Sequence, residues 1–221
     1  MSLTGLFKLP PVDRHEILRY AGVRTESPDL GPLMESVLNE AEPVLQGRVC
    51  WQQFSIVRKD SILDLGFAET GSRDLIRHLD GCDQIILFGA TIGLPLDRLI
   101  SKYSALSPAR ALMLQAVGTE RIEGLCDIFC GMLQQKVRET GLEIRSRFSP
   151  GYGDLPLDIQ KDIFRVLECS RTIGLTLNES LIMSPSKSVT AIVGLGKPCC
   201  SSHRSGCSQC SKTDCVYRST L

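Results

Sequence analysis

The stretch Gln84-Ile85-Ile86-Leu87-Phe88 is almost entirely apolar, and glycines stand close to its two ends, at Gly81 and Gly89. A short apolar run between turn residues is typical of a β-strand that is covered on both faces. We therefore predict that this stretch forms the central strand of a sheet.

Helical patterns lie on both sides of this predicted strand. Upstream, a capping-box spacing begins a short helix at residues 13–22, and apolar residues recur at three- and four-residue steps over residues 28–47. A third helix is expected over residues 72–79. Downstream, the longest helical pattern runs over residues 107–141, and a shorter helix is expected around residues 157–167.

Gly118 lies in the middle of the longest helical pattern, where a glycine costs up to about 1 kcal/mol relative to alanine. Such a glycine either breaks the helix or allows another part of the backbone to pack closely against it. We expect close packing at Gly118.

Further strand candidates complete the pattern. Residues 49–57 and 62–67 are rich in apolar and β-tolerant types, so we predict that they form a strand pair. Residues 176–183 and 188–195 are two more candidates, joined by a polar turn at Ser184-Pro185-Ser186-Lys187. Strands and helices are interspersed without regular βαβ units, which favours an α+β fold built on a largely antiparallel sheet.

The charge balance argues against a nucleic-acid partner. Lys plus Arg and Asp plus Glu both number 25, so the formal net charge is zero and no broad basic field attracts phosphates. The N-terminus meets Pro10-Pro11 and charged residues before any apolar run of signal-peptide length, and no later stretch is long enough to span a bilayer. We therefore expect a cytoplasmic protein without a membrane partner.

Ten cysteines are present, and in a chain without a signal peptide they are expected to be thiols or metal ligands. Apolar residues nearly vanish after residue 195, so we divide the chain into a domain at residues 1–195 and a cysteine-rich tail at residues 196–221. The cysteine spacing of the tail matches neither the regular two-knuckle zinc pattern nor the common ferredoxin pattern, so zinc and an iron–sulfur cluster are both open as its metal centre. The candidate metal ligands are Cys200, Cys207, Cys210 and Cys215.

The cysteines that precede the tail lie in apolar or helical surroundings and are predicted to be small core residues. They are Cys50, Cys82, Cys126, Cys130 and Cys169. His15 and His78 are each predicted to lie on a solvated helix face, so neither is assigned a catalytic role.

The hexapeptide Arg147-Phe148-Ser149-Pro150-Gly151-Tyr152 combines a fixed cation, a stiff turn and an aromatic hydroxyl. Arg147 can hold a ligand carboxylate through two charge-assisted hydrogen bonds, while Pro150 and Gly151 expose backbone groups to a ligand. An arginine beside a Pro-Gly turn is nevertheless common on protein surfaces, so the spacing alone favours a plain structural turn.

The hexapeptide also resembles the S-adenosylmethionine-binding signature, Arg-x-x-x-Gly-Tyr, of the activation domain of cobalamin-dependent methionine synthases, in which a proline precedes the glycine. A second run of that family, Glu-Ser-x-x-Met-x-Pro-x-x-Ser-Val, is similar to residues 179–189. Residues 88–93 are similar to a strand-to-turn segment of the family. One difference is that the family commonly has Ala-Cys-Pro-Asp-His after the tyrosine, where this chain has Asp154-Leu155-Pro156-Leu157-Asp158.

The resemblance implies a C-shaped α+β domain with a twisted, largely antiparallel sheet and flanking helices. It implies that Arg147 binds the carboxylate of S-adenosylmethionine, that the backbone near Ser149 contacts its polar groups, and that Tyr152 flanks the ligand. Pro150 and Gly151 would form the turn between them.

The reaction implied by the resemblance is reductive methylation, in which cob(II)alamin takes one electron and the resulting cob(I)alamin removes the methyl group of S-adenosylmethionine. No histidine of this chain stands in the family's cobalamin-binding Asp-x-His-x-x-Gly context. Cobalamin is therefore expected on a partner, a cobalamin-binding methionine synthase subunit, and the electron on a separate electron-donor protein. The chain would be an accessory component of this methyltransferase system in methionine biosynthesis.

The alternative is a zinc or iron–sulfur redox or interaction protein that serves a corrinoid partner. In that case the tail would carry the chemistry and the Arg147 segment would be a structural turn. S-adenosylmethionine binding separates the two hypotheses, because the alternative requires none.

Overall fold

The secondary structure is defined in a computed structural model that describes residues 2–23 and 30–198. The strands are β1 (Leu3–Phe7), β2 (Gly47–Ser55), β3 (Val57–Lys59), β4 (Ile62–Asp64), β5 (Glu69–Thr70), β6 (Cys82–Thr91), β7 (Glu143–Ile144), β8 (Thr176–Leu177), β9 (Met183–Ser184) and β10 (Ser188–Gly196). The helices are α1 (Arg14–Tyr20), α2 (Leu30–Ala41), α3 (Arg73–His78), α4 (Leu94–Leu106), α5 (Pro108–Arg138), α6 (Gln160–Leu167) and α7 (Cys169–Ile173). Short 3₁₀ turns occur at Glu42–Val44 and Leu157–Ile159.

A five-stranded antiparallel sheet forms the centre of the fold, in the order β1-β2-β6-β10-β7. The predicted central strand is confirmed, since β6 is the middle member. Its side chains alternate between two cores: Ile86 and Phe88 pack on one face of the sheet, and Ile85 and Leu87 on the other. An apolar run without polar alternation is what burial on both faces requires.

Helices cover both faces of the sheet. The first face is covered by α5 together with α1, α2 and α4, and the second by α3, α6 and α7. The predicted α+β class, with an antiparallel sheet and flanking helices, is therefore confirmed. No helix in the described ranges is long and apolar enough to cross a membrane.

Helix α5 runs unbroken through Gly118, as expected, but side chains rather than backbone fill the space there. A Cβ at this position would lie 2.5 Å from Leu96 Cδ2 and 2.9 Å from Lys187 Cγ. The helix therefore approaches both α4 and the start of β10 through a residue that has no side chain.

A buried charged pair on α5 holds the N-terminal segment in place. The guanidinium of Arg121, which is fully buried, donates to Glu120 and to the carbonyls of Pro10 and Pro11, the latter two at 2.8 and 3.2 Å. Glu120 in turn accepts from the backbone N–H of Asp13 at 3.1 Å. Asp13 also caps α1 by accepting from the N–H of Glu16, which confirms the predicted start of this helix.

Two strand predictions were wrong in their pairing. Residues 49–57 and 62–67 pair only at Val57 with Asp64, because β2 lies in the central sheet while β4 pairs with β3 and β5 in a separate small sheet. Residues 176–183 are not one strand, because the chain reverses between β8 and β9. The side chain of Asn178 accepts from the N–H of Ile182 at 2.9 Å, and Leu181 has a φ of 61°, so an asparagine-centred turn replaces the extended backbone.

The cysteines of the described ranges agree with the sequence prediction. Cys50, Cys82, Cys126 and Cys169 are buried and Cys130 is half-buried, and all five are free thiols. The candidate metal ligands Cys200, Cys207, Cys210 and Cys215, and the first two residues of the second helical pattern at 28–47, lie outside the described residues.

Candidate functional site

The predicted binding hexapeptide follows β7 along the edge of β10. The N–H of Arg145 donates to the carbonyl of Gly194 at 2.8 Å, and Phe148 exchanges two hydrogen bonds of 2.9 Å with Ile192. After Phe148 the chain turns away from the sheet. A cleft is therefore left between the hexapeptide and the first residues of β10.

The cleft has a volume of about 370 Å³, within the range of small-molecule binding sites. Its lining comes from the hexapeptide, from α5 and α6, and from both sides of the turn that precedes β10. The lining residues are Glu123, Ser146, Arg147, Ser149, Pro150, Tyr152, Gln160, Met183, Ser188, Val189 and Thr190.

The structure brings the two family-like signatures to the same cleft. Arg147, Ser149, Pro150 and Tyr152 line it, as do the last residues of the run at 179–189. Gly151 does not line the cleft. Its φ is +87° and its N–H donates to the carbonyl of Leu155 at 3.0 Å, so it shapes the turn.

Arg147 is held by two carboxylates from neighbouring turns of α5. Its Nη2 donates to Glu123 Oε2 at 2.9 Å and to Asp127 Oδ1 at 3.0 Å. Burial lowers the pKa of Arg147, but the negative charges of Cys126, as the thiolate that forms at high pH, and of the two carboxylates raise it, and the pKa ends above its ordinary value. Arg147 Nη1 is shielded from solvent, and none of the described residues provides it with a hydrogen-bond partner.

Two thiols on α5 lie close to Arg147. Burial is the main cause that raises the pKa of Cys126 to about 12 and the pKa of Cys130 to about 11. Both thiols therefore stay neutral at physiological pH, so they lie beside the Arg147 guanidinium without adding negative charge to it.

The turn that carries Tyr152 is tied to helix α3 by Asp154. The carboxylate of Asp154 accepts from the Ser72 hydroxyl and from the N–H groups of Arg73 and Asp74, the latter two at 2.9 and 3.2 Å. These bonds, that of Ser72 above all, lower the pKa of Asp154. The residue that replaces the family's usual sequence here thus has a structural role, capping a helix some 80 positions earlier.

An aromatic ladder supports the same turn. The Tyr152 ring packs edge-on against Phe148 with centroids 6.1 Å apart, and Phe148 packs against His78 at 5.1 Å. His78 Nε2 donates to the carbonyl of Ser146 at 2.8 Å. His78 is half-buried and its ring supports the cleft wall, so it is less solvated than expected, whereas His15 is exposed as expected.

Sequence reasoning missed four residues of the cleft, Glu123, Ser146, Gln160 and Thr190. A signal existed for Gln160, because it shares the buried face of α6 with Ile163 and Leu167 at helical spacing, and a polar residue on such a face needs an explanation. Thr190 gave no signal, since threonine is common in strands. To predict Glu123, one must know how α5 is rotated about its axis relative to the sheet, and the sequence alone does not give this rotation.

A second cleft of about 650 Å³ lies on the other side of Arg147, between α1 and α5. Its carboxylates already have partners: Asp13 caps α1, Glu16 pairs with Arg19, and Glu120 pairs with Arg121. Both clefts share Arg147 and Glu123, but Gln160 and Thr190, whose side-chain oxygens have no partner among the described residues, line only the first cleft, which is therefore the better candidate for a ligand site. In the described ranges no group of His, Cys, Asp and Glu is arranged to hold a metal ion.

Comparison with known proteins supports the architecture. No protein-family model matches the chain, and no curated protein matches it in sequence. Among solved structures, the chain is similar to the crystal structure of the MetH reactivation domain bound to AdoHcy, with a TM-score of 0.60 and 16% identity. The match covers 88% of this chain and 78% of that chain. At this identity the similarity shows that the two share a fold.

Proposed function

We propose that the cleft binds S-adenosylmethionine and that the chain is an accessory subunit for the reductive methylation of cobalamin on a partner methionine synthase. The observation that carries this proposal is Arg147, whose Nη2 is fixed by two carboxylates while its shielded Nη1 is without a partner among the described residues. A buried guanidinium N–H without a partner is costly, and a ligand carboxylate would satisfy it.

The charges around the cleft complement this ligand. Arg147 contributes one positive charge, and Glu123 and Asp127 contribute two negative charges, so the group is negative by one in formal charge. S-adenosylmethionine carries a carboxylate, an ammonium and a sulfonium, and is therefore positive by one. With the carboxylate on Arg147, the ammonium would lie close enough to Glu123 to be bound by it.

The chemistry needs no general base from this chain. The methyl group leaves the sulfonium with the electron pair remaining on sulfur, and the acceptor is the reduced cobalt of the partner's cobalamin. The protein would supply binding, orientation and exclusion of water. Tyr152, which is 58% exposed at the mouth of the cleft, would cover the ligand and stay accessible to the docking partner.

The similarity to a domain bound to AdoHcy supports a ligand of this class, because AdoHcy is the demethylated form of S-adenosylmethionine. The cobalamin-binding partner and the electron-donor protein are part of the proposal, as are the tail metal and the division at residue 195. The alternative, a metal-dependent redox protein for a corrinoid partner, rests on the tail cysteines alone.

Calorimetric titration of the purified protein with S-adenosylmethionine and with AdoHcy tests the proposal. We expect saturable binding of both ligands, with S-adenosylmethionine binding more tightly because of its additional positive charge. A second assay mixes the protein with a cobalamin-loaded methionine synthase subunit, a one-electron reductant and methyl-labelled S-adenosylmethionine, and measures label on cobalt. Absence of S-adenosylmethionine binding would remove the proposal.

A further inference from the structure

Gln160 and Thr190 stand out on the wall of the cleft away from the charged group. Gln160 is 5% exposed and Thr190 is 2% exposed. Within the described ranges, neither Gln160 Oε1 nor Thr190 Oγ1 has a hydrogen-bond partner. Two elements that are distant in sequence, α6 and β10, thus each contribute to the lining of the same cleft a residue that carries one unpartnered polar atom.

Such atoms are rare in folded proteins. A buried polar group without a partner costs about 1–3 kcal/mol, and most buried polar groups are therefore bonded. The neighbouring Ser188 follows this rule, since its hydroxyl contacts Thr91 Oγ1 and the carbonyl of Pro185, each at 2.8 Å. The pair at Gln160 and Thr190 departs from the rule where the cleft is, which points to a ligand with matching polar groups.

The backbone of β10 adds to this polar wall. Phe148 pairs with Ile192, and the chain leaves the edge of the strand beyond that point. Hydrogen-bonding directions alternate along an antiparallel strand, so the N–H and C=O of Thr190 are turned to the same edge as those of Ile192. Thr190 can therefore offer main-chain groups as well as its hydroxyl to a ligand in the cleft.

We infer that Gln160 and Thr190 bind the adenosine half of the ligand and make the nucleoside a requirement for tight binding. This inference rests on the proposed function. The polar groups of this wall are neutral donors and acceptors, which suit the uncharged adenine edge and ribose hydroxyls. The charged moieties of the amino-acid half belong instead to Arg147 and Glu123. A site that hydrogen-bonds part of its ligand rejects analogues that lack it, because its own polar groups stay unsatisfied.

The test uses two variants of nearly equal shape, Gln160→Met and Thr190→Val, and three ligands. S-adenosylmethionine has both halves, S-methylmethionine has the amino acid and sulfonium without a nucleoside, and 5′-methylthioadenosine has the nucleoside without the amino acid. Affinities are measured by calorimetry, and by displacement of labelled S-adenosylmethionine for weakly bound fragments.

We expect each variant to lose about tenfold in affinity for S-adenosylmethionine and 5′-methylthioadenosine, the equivalent of one hydrogen bond, while S-methylmethionine binding is unchanged. We also expect the thermal midpoint of the ligand-free protein to be kept or raised, because each variant removes an unsatisfied buried group. A purely structural role would lower that midpoint instead.

The two levels of the proposal fail differently. If wild type binds no S-adenosylmethionine, the proposed function is wrong and the inference is withdrawn with it. If wild type binds S-adenosylmethionine but the variants bind all three ligands as wild type does, or lose S-methylmethionine equally, the inference alone is overturned.

Discussion

The two ends of the cleft differ in whether the protein itself provides hydrogen-bond partners for their polar groups. At the charged end, the carboxylates of Glu123 and Asp127 already bind Arg147, and the Arg147 side chain is 24% exposed. At the neutral end, Gln160 and Thr190 are almost fully buried and, within the described part of the chain, their oxygens are without partners. Ion pairs therefore position the charge at one end, whereas under the proposed function the ligand would provide the missing partners at the other end.

The largest effect is expected from removing the cation of the charged end. Arg147→Ala should weaken S-adenosylmethionine binding by roughly 1.5–3 kcal/mol, the range for a charge-assisted hydrogen bond, because the ligand carboxylate loses its partner. Arg147→Lys should restore only part of this, since an ammonium cannot reproduce the planar guanidinium. Calorimetry on both variants measures the difference.

Arg145→Ala is the matched control for this prediction. Arg145 lies two residues earlier on the same segment, but its side chain donates to the carbonyl of Lys197 and does not line the cleft. Its loss should leave ligand affinity unchanged. Equal binding by wild type and Arg147→Ala would show that the charged end does not bind the ligand.

A smaller effect is expected from the two carboxylates, and it should separate them. Glu123 lines the cleft, while Asp127 does not and is 73% exposed. Glu123→Gln should weaken S-adenosylmethionine binding by about 1 kcal/mol, discounted for partial exposure, and weaken AdoHcy less because AdoHcy lacks the sulfonium charge. Asp127→Asn should leave both affinities nearly unchanged. Equal losses of affinity in Glu123→Gln and Asp127→Asn would mean that both carboxylates act only by holding Arg147 and that Glu123 does not contact the ligand.

The smallest effect at neutral pH, where the pH dependence vanishes, concerns the stability that the buried thiol of Cys126 beside Arg147 contributes. The pKa of Cys126 is raised to about 12 by burial, above its ordinary value near 9, so unfolding releases its proton at a lower pH than the folded state does. The associated stability is complete below about pH 9 and is lost as pH rises towards 12. The free energy of unfolding should therefore fall less steeply over this range in Cys126→Ala than in wild type, as measured by urea titrations at several pH values. Parallel curves would contradict the assignment.

Apolar patterning predicted the central strand, the long helix and the fold class, because these depend on burial that each element carries in its own sequence. Pairing was harder. Residues 62–67 look like a strand, but which strand lies beside them depends on the path of the chain, and β4 pairs in a small separate sheet. Residues 176–183 also look like a strand, and the local bond from Asn178 to the N–H of Ile182 overrides that pattern. Strands as short as β7 have too few residues to show any pattern.

The candidate site was predictable where its residues are consecutive. The hexapeptide singled out Arg147 and Tyr152, and both line the cleft, as do residues of the second signature. The neutral end was not predicted, because Gln160 and Thr190 come together only through the packing of α6 on the sheet. Whether they bind the ligand stays a prediction until the variants are measured.

The hydrogen bonds from α3 to Asp154 fix the turn at residues 150–154, which carries Tyr152 at the mouth of the cleft and is called the lip here. Gly153 connects Asp154 to Tyr152 with a φ of +52°, and a Cβ there would overlap Asp74, so this position requires glycine. The lip cannot swing outward without exposing the N–H groups of Arg73 and Asp74 at the first turn of α3. Since the pKa of Asp154 is lowered, the latch holds at neutral pH and is released only as acid protonates the carboxylate.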